Sequence, residues 1–475
     1  MMQRIFSWLK EALKKMLNIS DGGIKRALGA NVAVSGKMQE AILTWMNLYQ
    51  GDAAWLEDGV TQSLDLPAAI ASELSRLTCV EYKAEITGDS ARSAYLAEEF
   101  KAQTKDLRDA VERGCASGGL IFKPYVDGNR LVVDAVPAWR FFPTAFNARR
   151  EITAAAFVEQ AQRGRVYYTR LEHHAMTDEG YIIRNMAFRS TNESELGSPC
   201  SLAEVDEWAI LEPEMVIRYK NGAPPEKMLF SFFRVPMANK VDLDSPMGVS
   251  VFSRAVDLIR DADEQYSRIL WEYEGSELAV DASVGALQRT GPDGKPAKLP
   301  KHQKRLFREL AIDGGSKGDL YQVFSPAIRD SSLFNGLDKI LKRIEFSCNL
   351  AYGTLSDPAN VDKTAEEIRT STQRSYTAVC ELQKAIGDAL ADLLWVDNFY
   401  CDLYKLAPAG DYELTITWGD GILEDPAAEF GRRLQLTSSG YLKPEKLISW
   451  YFGVKEEDAA DYIPAAAAKP LTFKE

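Results

Sequence analysis

The stretch LFNGLDKILKRIEFSCNLAYGTLSDPANVDKTAEEIRTSTQRSYTAV, Leu333–Val379, decides how the rest of the chain is read. Its first part carries Leu333, Leu337, Ile340, Leu341, Ile344 and Cys348 at three- and four-residue spacing, the pattern of an amphipathic helix. YGTLSDPANVD then has turn chemistry. A new helix opens where Asp362 or Thr364 supplies a cap and Glu366 and Glu367 suit the N-terminal dipole. It runs without proline to about Val396, with Gly387 its one weak point. Tyr376, Val379, Leu382, Ile386, Leu390 and Leu393 anchor its later half, but the earlier half, Asp362 to Arg374, is almost wholly polar. A polar helix of this length gains little from burial within one chain, which raises the question of what it faces.

Upstream lies a matching element. SPMGVSVFSRAVDLIRDADEQYSRILWEYEGSEL, Ser245–Leu278, places Phe252, Ala255, Ile259, Ala262, Tyr266, Ile269 and Tyr273 on one stripe of a helix longer than about 35 Å. Between the two helices sits GALQRTGPDGKPAKLPKHQKRLFREL, Gly285–Leu310. It is rich in glycine and proline and then strongly basic, with Arg289, Lys295, Lys298, Lys301, Lys304, Arg305 and Arg308 against Asp293 and Glu309. DGGSKGDLYQVFSPAIRD reads as a short strand with flexible flanks.

The N-terminal part divides in two. Residues 31–118 read as helices, with Met38, Ile42, Trp45 and Tyr49 on one face and Pro67 in a first turn; the run from Ser90 reads as one more helix, stopped by Gly118 and Gly119. Residues 119–235 read as antiparallel strands with hairpin turns at Asp127-Gly128-Asn129, Arg163-Gly164 and Asp178-Glu179-Gly180. Helices followed by antiparallel strands define an α+β chain. After the long helix, DYELTITWGDGI is a strand, and DPAAEFGRRLQLTSSGYLKPEKLISWYFGV is two further helices. No fixed-period repeat is present.

Composition narrows the chemistry. The chain has 475 residues, enough for two to four domains or subdomains, and a net charge of −13, so its surface as a whole does not attract nucleic acid. Cys79, Cys115, Cys200, Cys348, Cys380 and Cys401 form no C-x-x-C pair and read as free thiols of a reducing compartment. No window is apolar enough to span a membrane. The N-terminus MMQRIFSWLKEALKKMLN puts Ile5, Phe6, Leu9, Leu13, Met16 and Leu17 on one face and Lys10, Lys14 and Lys15 elsewhere; it reads as a helix docked on its own protein or a neighbouring subunit, or as a membrane-surface helix.

Catalytic signatures are missing. His173 and His174 are adjacent in a strand, so their rings point to opposite faces; His302 is the third histidine. No Walker A, nucleophile-elbow or H-E-x-x-H motif occurs, and DGGSKGD lacks the strand–helix context of a phosphate loop. Asp242 with Asp244, and Asp261 with Asp263 and Glu264, are the carboxylates a two-metal site would need, but the latter three fall on the polar side of their helix, as a solvated or inter-subunit face would.

The ordered set of elements resembles the portal proteins of tailed bacteriophages, the head-to-tail connectors of long-tailed phages. VSGKMQEAILTWMNLYQGDAAW is similar to the N-terminal signature of one portal branch, and VPAWRFFPTAFNARREITAAAFVE with YYTRLEHH to its wing strands. Ser245–Glu274 resembles a first stem helix, and Leu333–Val379 resembles the second stem helix, tunnel loop and start of the long wing helix. The likeness covers about residues 31 to 455 and is least clear at the C-terminus.

The resemblance implies a portal-like α+β protomer. Residues 1–30 would be an amphipathic arm, 31–244 a wing of helices then antiparallel strands, 245–280 and 332–351 a two-helix stem, and 281–331 a small α/β clip. Residues 352–363 would form the tunnel loop, 364–410 the long wing helix and 411–475 a final wing strand with short crown-like helices. It also implies a non-enzymatic ring, usually of twelve subunits, at one capsid vertex. Double-stranded DNA would be pumped through it by a separate terminase ATPase and later ejected. The ring would nucleate head assembly with scaffold and major capsid proteins and dock head-completion adaptors, with no cofactor, no metal and no membrane. Thr354, Leu355, Ser356, Asp357, Pro358, Ala359, Asn360, Val361, Asp362 and Lys363 would form the tunnel loop. Arg289, Lys295, Lys298, Lys301, Lys304, Arg305 and Arg308 would meet DNA at the channel mouth, or pair with acidic partner proteins, or be solvated. In a ring each subunit offers different faces to its two neighbours, so a helix polar within one chain can be sandwiched or can line a wet lumen. The competing readings are a metal-dependent nuclease or phosphotransferase and a minor capsid or tail protein.

Overall fold

A computed structural model of the chain describes residues 22–29, 32–193, 195–219, 221–276, 279–283, 307–310, 321–324, 327–357, 365–419, 426–452, 454, 456–459 and 462; for 22, 279–283, 307–310, 321–324, 365–371, 426–429, 456 and 457 it describes the backbone alone. The chain is α+β with antiparallel sheets, and it divides into two units, one of residues 1–79 and 84–416, the other of 80–83 and 417–475. Of the expected arm at residues 1–30, residues 1–21 and 30 lie outside the described residues.

The first unit opens with a short helix α1 (Gly22–Leu28), then α2 (Gly36–Tyr49) and α3 (Leu66–Cys79). Ser35 caps α2 by accepting the Met38 N–H, which fixes where the helix starts. Strand β1 (Tyr82–Thr87), absent from the sequence reading, comes next. The single helix expected from Ser90 is two, α4 (Ala91–Gln103) and α5 (Leu107–Ser117), because the Thr104 hydroxyl turns back to the Phe100 carbonyl and the chain bends before Leu107. Gly118 ends α5 at φ +91°; a side chain there would drive its Cβ to 2.6 Å from the Gly248 carbonyl oxygen.

Two antiparallel sheets come after these helices. β2 (Gly119–Asp127) pairs with β3 (Arg130–Pro137) around the expected Gly128 hairpin, and with β10 (Ser231–Arg234) on its other side. The larger sheet runs β4 (Phe141–Phe146), β5 (Ile152–Arg163), β6 (Val166–Thr177) and β7 (Gly180–Ser190), with β8 (Ser198–Cys200) and β9 (Glu214–Ile217) both pairing with β7. Phe141, Phe157 and Phe230 pack ring to ring at 5.2–5.4 Å, and these contacts fill the space behind the sheet.

The helix expected from Ser245 is shorter than the sequence suggests. Residues 245–255 are buried turns rather than helix, and α6 spans Val256–Gly275, about 30 Å at 1.5 Å per residue. The segment's backbone is used elsewhere: Val251 N–H donates to the Cys115 carbonyl, and the Ser245 and Ser250 hydroxyls accept the N–H groups of Met247 and Phe252. Phe252 and Ala255, expected on the helical stripe, are buried as part of this turn. Strands β11 (Ala279–Ser283), β12 (Phe307–Leu310) and β13 (Tyr321–Phe324) form a small sheet with β11 central, parallel to β12 and antiparallel to β13. Helix α7 (Asp330–Ser347) returns and packs against α6.

The long helix α8 spans Ala365–Tyr404, forty residues or about 60 Å, and runs past the expected end at Val396. Its later half is the centre of the unit: Val379, Leu382, Ile386, Leu390 and Leu393 are buried, and the helix packs on β10 and β2. Arg92 closes its C-terminal end. That buried guanidinium donates to the carbonyls of Asn398, Ala407 and Pro408, to the Asn398 side chain and to Asp402. A cation near a helix C-terminus is also favoured by the helix dipole. β14 (Glu413–Trp418) then pairs with β1.

In the second unit, α9 (Pro426–Ser438) and α10 (Pro444–Phe452) are the two short helices the sequence indicates, followed by a turn of helix, α11 (Glu456–Ala459). Phe430 meets Tyr451 at 5.0 Å, and the Arg433 guanidinium lies 4.5 Å over the Trp450 ring.

Candidate functional site: the α6–α7 hairpin and its junction with the long helix

Helices α6 and α7 form a hairpin whose two arms carry the small sheet between them. At the sheet end, Glu272 in the last turn of α6 takes Arg329, which precedes α7, through Nε at 3.1 Å and Nη2 at 2.7 Å. This two-point contact fixes the spacing of the arms, and the arginine hydrogen bonds hold the Glu272 carboxyl below its usual range. Lower down, the Gln265 amide donates to the Leu333 carbonyl. Each arm buries little. Ile259, Ala262 and Ile269 on α6 and Leu337 and Ile344 on α7 are covered, while Trp271 is 68% exposed and Phe346 52% exposed, with Phe334 and Ile328 also open.

Asp263 corrects the sequence reading. The sequence pattern puts it on the solvated side of its helix, yet it is 1% exposed. Its Oδ1 accepts the Leu64 N–H at 2.8 Å and its Oδ2 accepts the Trp55 indole N–H at 2.9 Å, while Gln62 N–H reaches Ser267. Burial raises the Asp263 carboxyl above its ordinary value, against the pull of those two bonds. The acid therefore holds the 55–64 loop along the root of the stem. Asp261 is exposed and Glu264 half-buried, and they lie near Arg260 and Arg268, and Asp242 holds Ser35 and Asp244 N–H groups. Among the described residues no group of three or more His, Cys, Asp or Glu side chains is placed to hold a metal ion.

At the other end of α7 the chain turns sharply. Cys348 caps the helix, and Asn349, at φ +58°, takes the left-handed conformation that asparagine tolerates. Glu345, wholly buried in the last turn of α7, organises the segment from Gly353 to Ser356. Its Oε1 accepts the N–H groups of Gly353 at 3.1 Å, Leu355 at 2.7 Å and Ser356 at 2.9 Å, and the Ser356 hydroxyl donates to Oε2 at 2.9 Å. Asp357 N–H continues to Asp338, which also pairs with Lys342. From the long helix, Arg374 donates to the Leu350 carbonyl, and its guanidinium lies 4.7 Å from the Phe346 ring and 5.1 Å from the Tyr352 ring. One carboxylate and one guanidinium thus bind stem, turn and long helix together.

The expected tunnel-loop residues divide accordingly. Thr354, Leu355, Ser356 and Asp357 belong to this fixed turn, with Ser356 buried in it. Pro358, Ala359, Asn360, Val361, Asp362 and Lys363 lie outside the described residues, as does the cap expected at Asp362 or Thr364. Of the basic residues, Arg289, Lys295, Lys298, Lys301, Lys304 and Arg305 also lie outside them; Arg308 is on β12, in register with Asp281 of β11.

The histidine pair behaves as its strand position requires. His173 faces Thr144 on one side of β6, at 2.9 Å, and burial lowers its pKa to about 4. His174 is buried on the other side, between Tyr181 Oη at Nδ1 and Glu172 at Nε2. Burial alone would raise Glu172, but Lys123, His174 and Arg170 outweigh it and hold the carboxyl ionised. Burial keeps His174 neutral despite that neighbour. A neutral imidazole donating from Nε2 to Glu172 and accepting the Tyr181 hydroxyl at Nδ1 satisfies every group, and Tyr181 in turn accepts the Leu229 N–H. This is a closed internal network.

No protein-family profile matches the chain, and no curated protein sequence matches it.

Proposed function

We propose that the chain is the subunit of a portal-type ring, a channel at a capsid vertex through which double-stranded DNA is packaged by a terminase and later leaves. One observation supports this most. The α6–α7 hairpin is joined at Glu272–Arg329, bears a small sheet between its arms, and keeps Trp271 and Phe346 exposed. Paired helices that hide so little of their aromatic surface gain by packing side by side with copies of themselves, and a repeated head-to-tail contact that closes gives a ring. The fixed turn at Glu345 supports the same reading: a loop facing a moving duplex needs a rigid base. The net charge of −13 fits a lining that passes DNA without gripping it, since phosphate contacts by lysine and arginine accumulate into tight binding.

In this reading the small sheet would dock terminase and adaptor, and the ring would nucleate assembly with scaffold and capsid proteins. The nuclease alternative finds no support in the carboxylates, since Asp263 is turned into its own chain and Asp242 into its own loop. Native mass measurement and end-on imaging of purified protein test the proposal. Rings of about twelve copies with a duplex-wide hole are expected; a monomer at every concentration would overturn it.

A further inference from the structure

Several covered cations of the first unit are paired: Arg92 with Asp402, Lys123 with Glu172, and Arg170 with Glu159 and Glu172. Arg234, the last residue of β10, is an exception. It is half-buried, and among the described residues its guanidinium has neither a carboxylate partner nor a protein acceptor. It lines a cleft of about 630 Å³ that is walled by the β4–β5 turn, by β10 and by Asp392 of α8.

The group beside it is a second cation. Burial and then Arg150 push the Arg234 guanidinium below its usual pKa, and no acid counters them. Both arginines stay charged, because a guanidinium keeps its proton in a protein. Arg150 is placed by the β4–β5 turn. The Asn147 side-chain oxygen accepts the N–H groups of Arg149 and Glu151, at 2.9 and 3.0 Å, and Arg150 between them takes φ +63°. Its Nη2 donates to the Leu243 carbonyl at 3.0 Å, which leaves most of its donors free for another acceptor. The arm of Arg234 needs the glycine opposite it: a Cβ on Gly248 would stand 3.1 Å from Arg234 Cγ. The acids on the cleft wall do not answer these charges. Glu151 accepts the Asn147 side-chain amide at 2.6 Å, Asp392 holds Lys227, and Glu226 is exposed.

Two neighbouring guanidiniums without a counter-charge present a doubly positive set of forked donors. A compact dianion with several oxygens fits them. A phosphate accepts N–H groups from both, whereas one carboxylate leaves a positive charge uncompensated. We propose that the Arg150–Arg234 cleft binds a small dianionic phosphate, either the free ion or the terminal group of a monoester. The site needs neither a neighbouring subunit nor DNA, so it is independent of the ring reading.

Calorimetry on the full chain in low-salt, phosphate-free buffer tests this, with inorganic phosphate, ribose 5-phosphate and ribose as probes. Both phosphates are expected to bind with a Kd of about 1 mM or tighter, and ribose is expected not to bind. Tighter binding of ribose 5-phosphate assigns the site to an ester, and equal binding assigns it to the free ion. Arg234→Met, which keeps the unbranched arm, and Arg150→Gln should each weaken phosphate binding roughly tenfold or more. Arg150 is exposed, so Arg150→Gln keeps the test decisive if Arg234→Met folds poorly. Absence of binding by both phosphates at about 10 mM would overturn the proposal. So would unchanged affinity in both variants, or acetate binding as tightly as phosphate. Duplex DNA that binds the chain and is lost in both variants, with neither small phosphate bound, would also overturn it and assign the two arginines to a nucleic-acid backbone.

Discussion

The two ends of the α7–α8 region solve the same problem in opposite ways. The later half of α8 is complete within one chain: its apolar stripe is covered by β2 and β10, and Arg92 ties its last turns, at Asn398 and Asp402, to the carbonyls of Ala407 and Pro408 just beyond it. The stem hairpin is not. It buries a narrow seam and leaves Trp271, Phe334 and Phe346 on the outside. Both regions are built on amphipathic helices, and the difference lies in what covers them. It teaches that the region around the later half of α8 completes its core within one chain, whereas the geometry of the α6–α7 hairpin is set by a few polar clamps, Asp263 at its root, Glu272–Arg329 at the sheet and Glu345 at the turn. Substitutions should therefore act on global stability in the first region, and on local order or association in the second.

The sharpest break in that comparison comes at Arg92. Arg92→Ala removes a buried guanidinium from three carbonyls and an amide, while Asp402, 42% exposed, regains water. A global loss of about 3 kcal/mol is expected, read as a lower midpoint in urea unfolding. Arg92→Lys keeps the charge but not the planar fork and should recover only part of it. If Arg92→Ala unfolds with the wild-type midpoint, α8 is not completed in this way.

Glu345→Ala is the counterpart at the stem. Its loss frees three backbone N–H groups and the Ser356 hydroxyl, an expected cost of about 2–3 kcal/mol, but one spent on opening the turn rather than the domain. Hydrogen exchange and proteolysis between Gly353 and Asp357 should rise while the global midpoint moves little. A global shift as large as that of Arg92→Ala would erase the distinction between the two regions.

Asp397 sharpens the first region through pH. It is wholly buried on α8, with the Gln103 amide at 3.2 Å from Oδ1, and burial pushes its carboxyl up to about 8 against the lowering effect of Gln103. The folded state thus holds a proton that the unfolded chain, near 3.8, releases. The stability this contributes is fully present below about pH 4 and is lost as pH rises through 8. Asp397→Asn keeps the shape without the titration. Relative to wild type it should gain roughly 2 kcal/mol between pH 6 and pH 8 in parallel unfolding curves; equal slopes would show that Asp397 stays ionised.

The α+β class, the strand hairpins, the stripe of α8 and the two helices α6 and α7 are all legible in the sequence, because periodicity reports which face a backbone buries. The clamps are not read that way, since a spacing argument treats a charge as solvent-facing. Yet Arg92 lies four residues before Leu96, Asp263 four after Ile259, Glu345 four after Leu341 and Asp397 four after Leu393, each on its helix's apolar stripe. A charge on the stripe was the available signal, and all four are buried and hydrogen-bonded. On β6 the same holds at period two, with Arg170, Glu172 and His174 on one inward face. The late start of α6 had a fainter signal in Pro246 and Gly248. It arises from long-range backbone contacts to Cys115 and Gly118, which no local pattern contains.

The smallest expected effect on folding tests the α6–α7 hairpin most directly. Trp271, with most of its surface in water, contributes little to the isolated chain, so Trp271→Ser should change unfolding stability by no more than about 0.5 kcal/mol. If copies pack side by side through this face, the same substitution removes an aromatic anchor from every contact of the assembly at once. Sedimentation and native mass spectra should then show smaller or open species in place of closed rings at equal concentration. Unchanged assembly with unchanged stability would mean that Trp271 faces water in every state of the protein, and the stem's exposed aromatics would cease to argue for neighbours. Lost stability without any change in assembly would place Trp271 in the core of its own chain, and the contrast between a self-sufficient α8 region and an incomplete α6–α7 hairpin would fail at that residue.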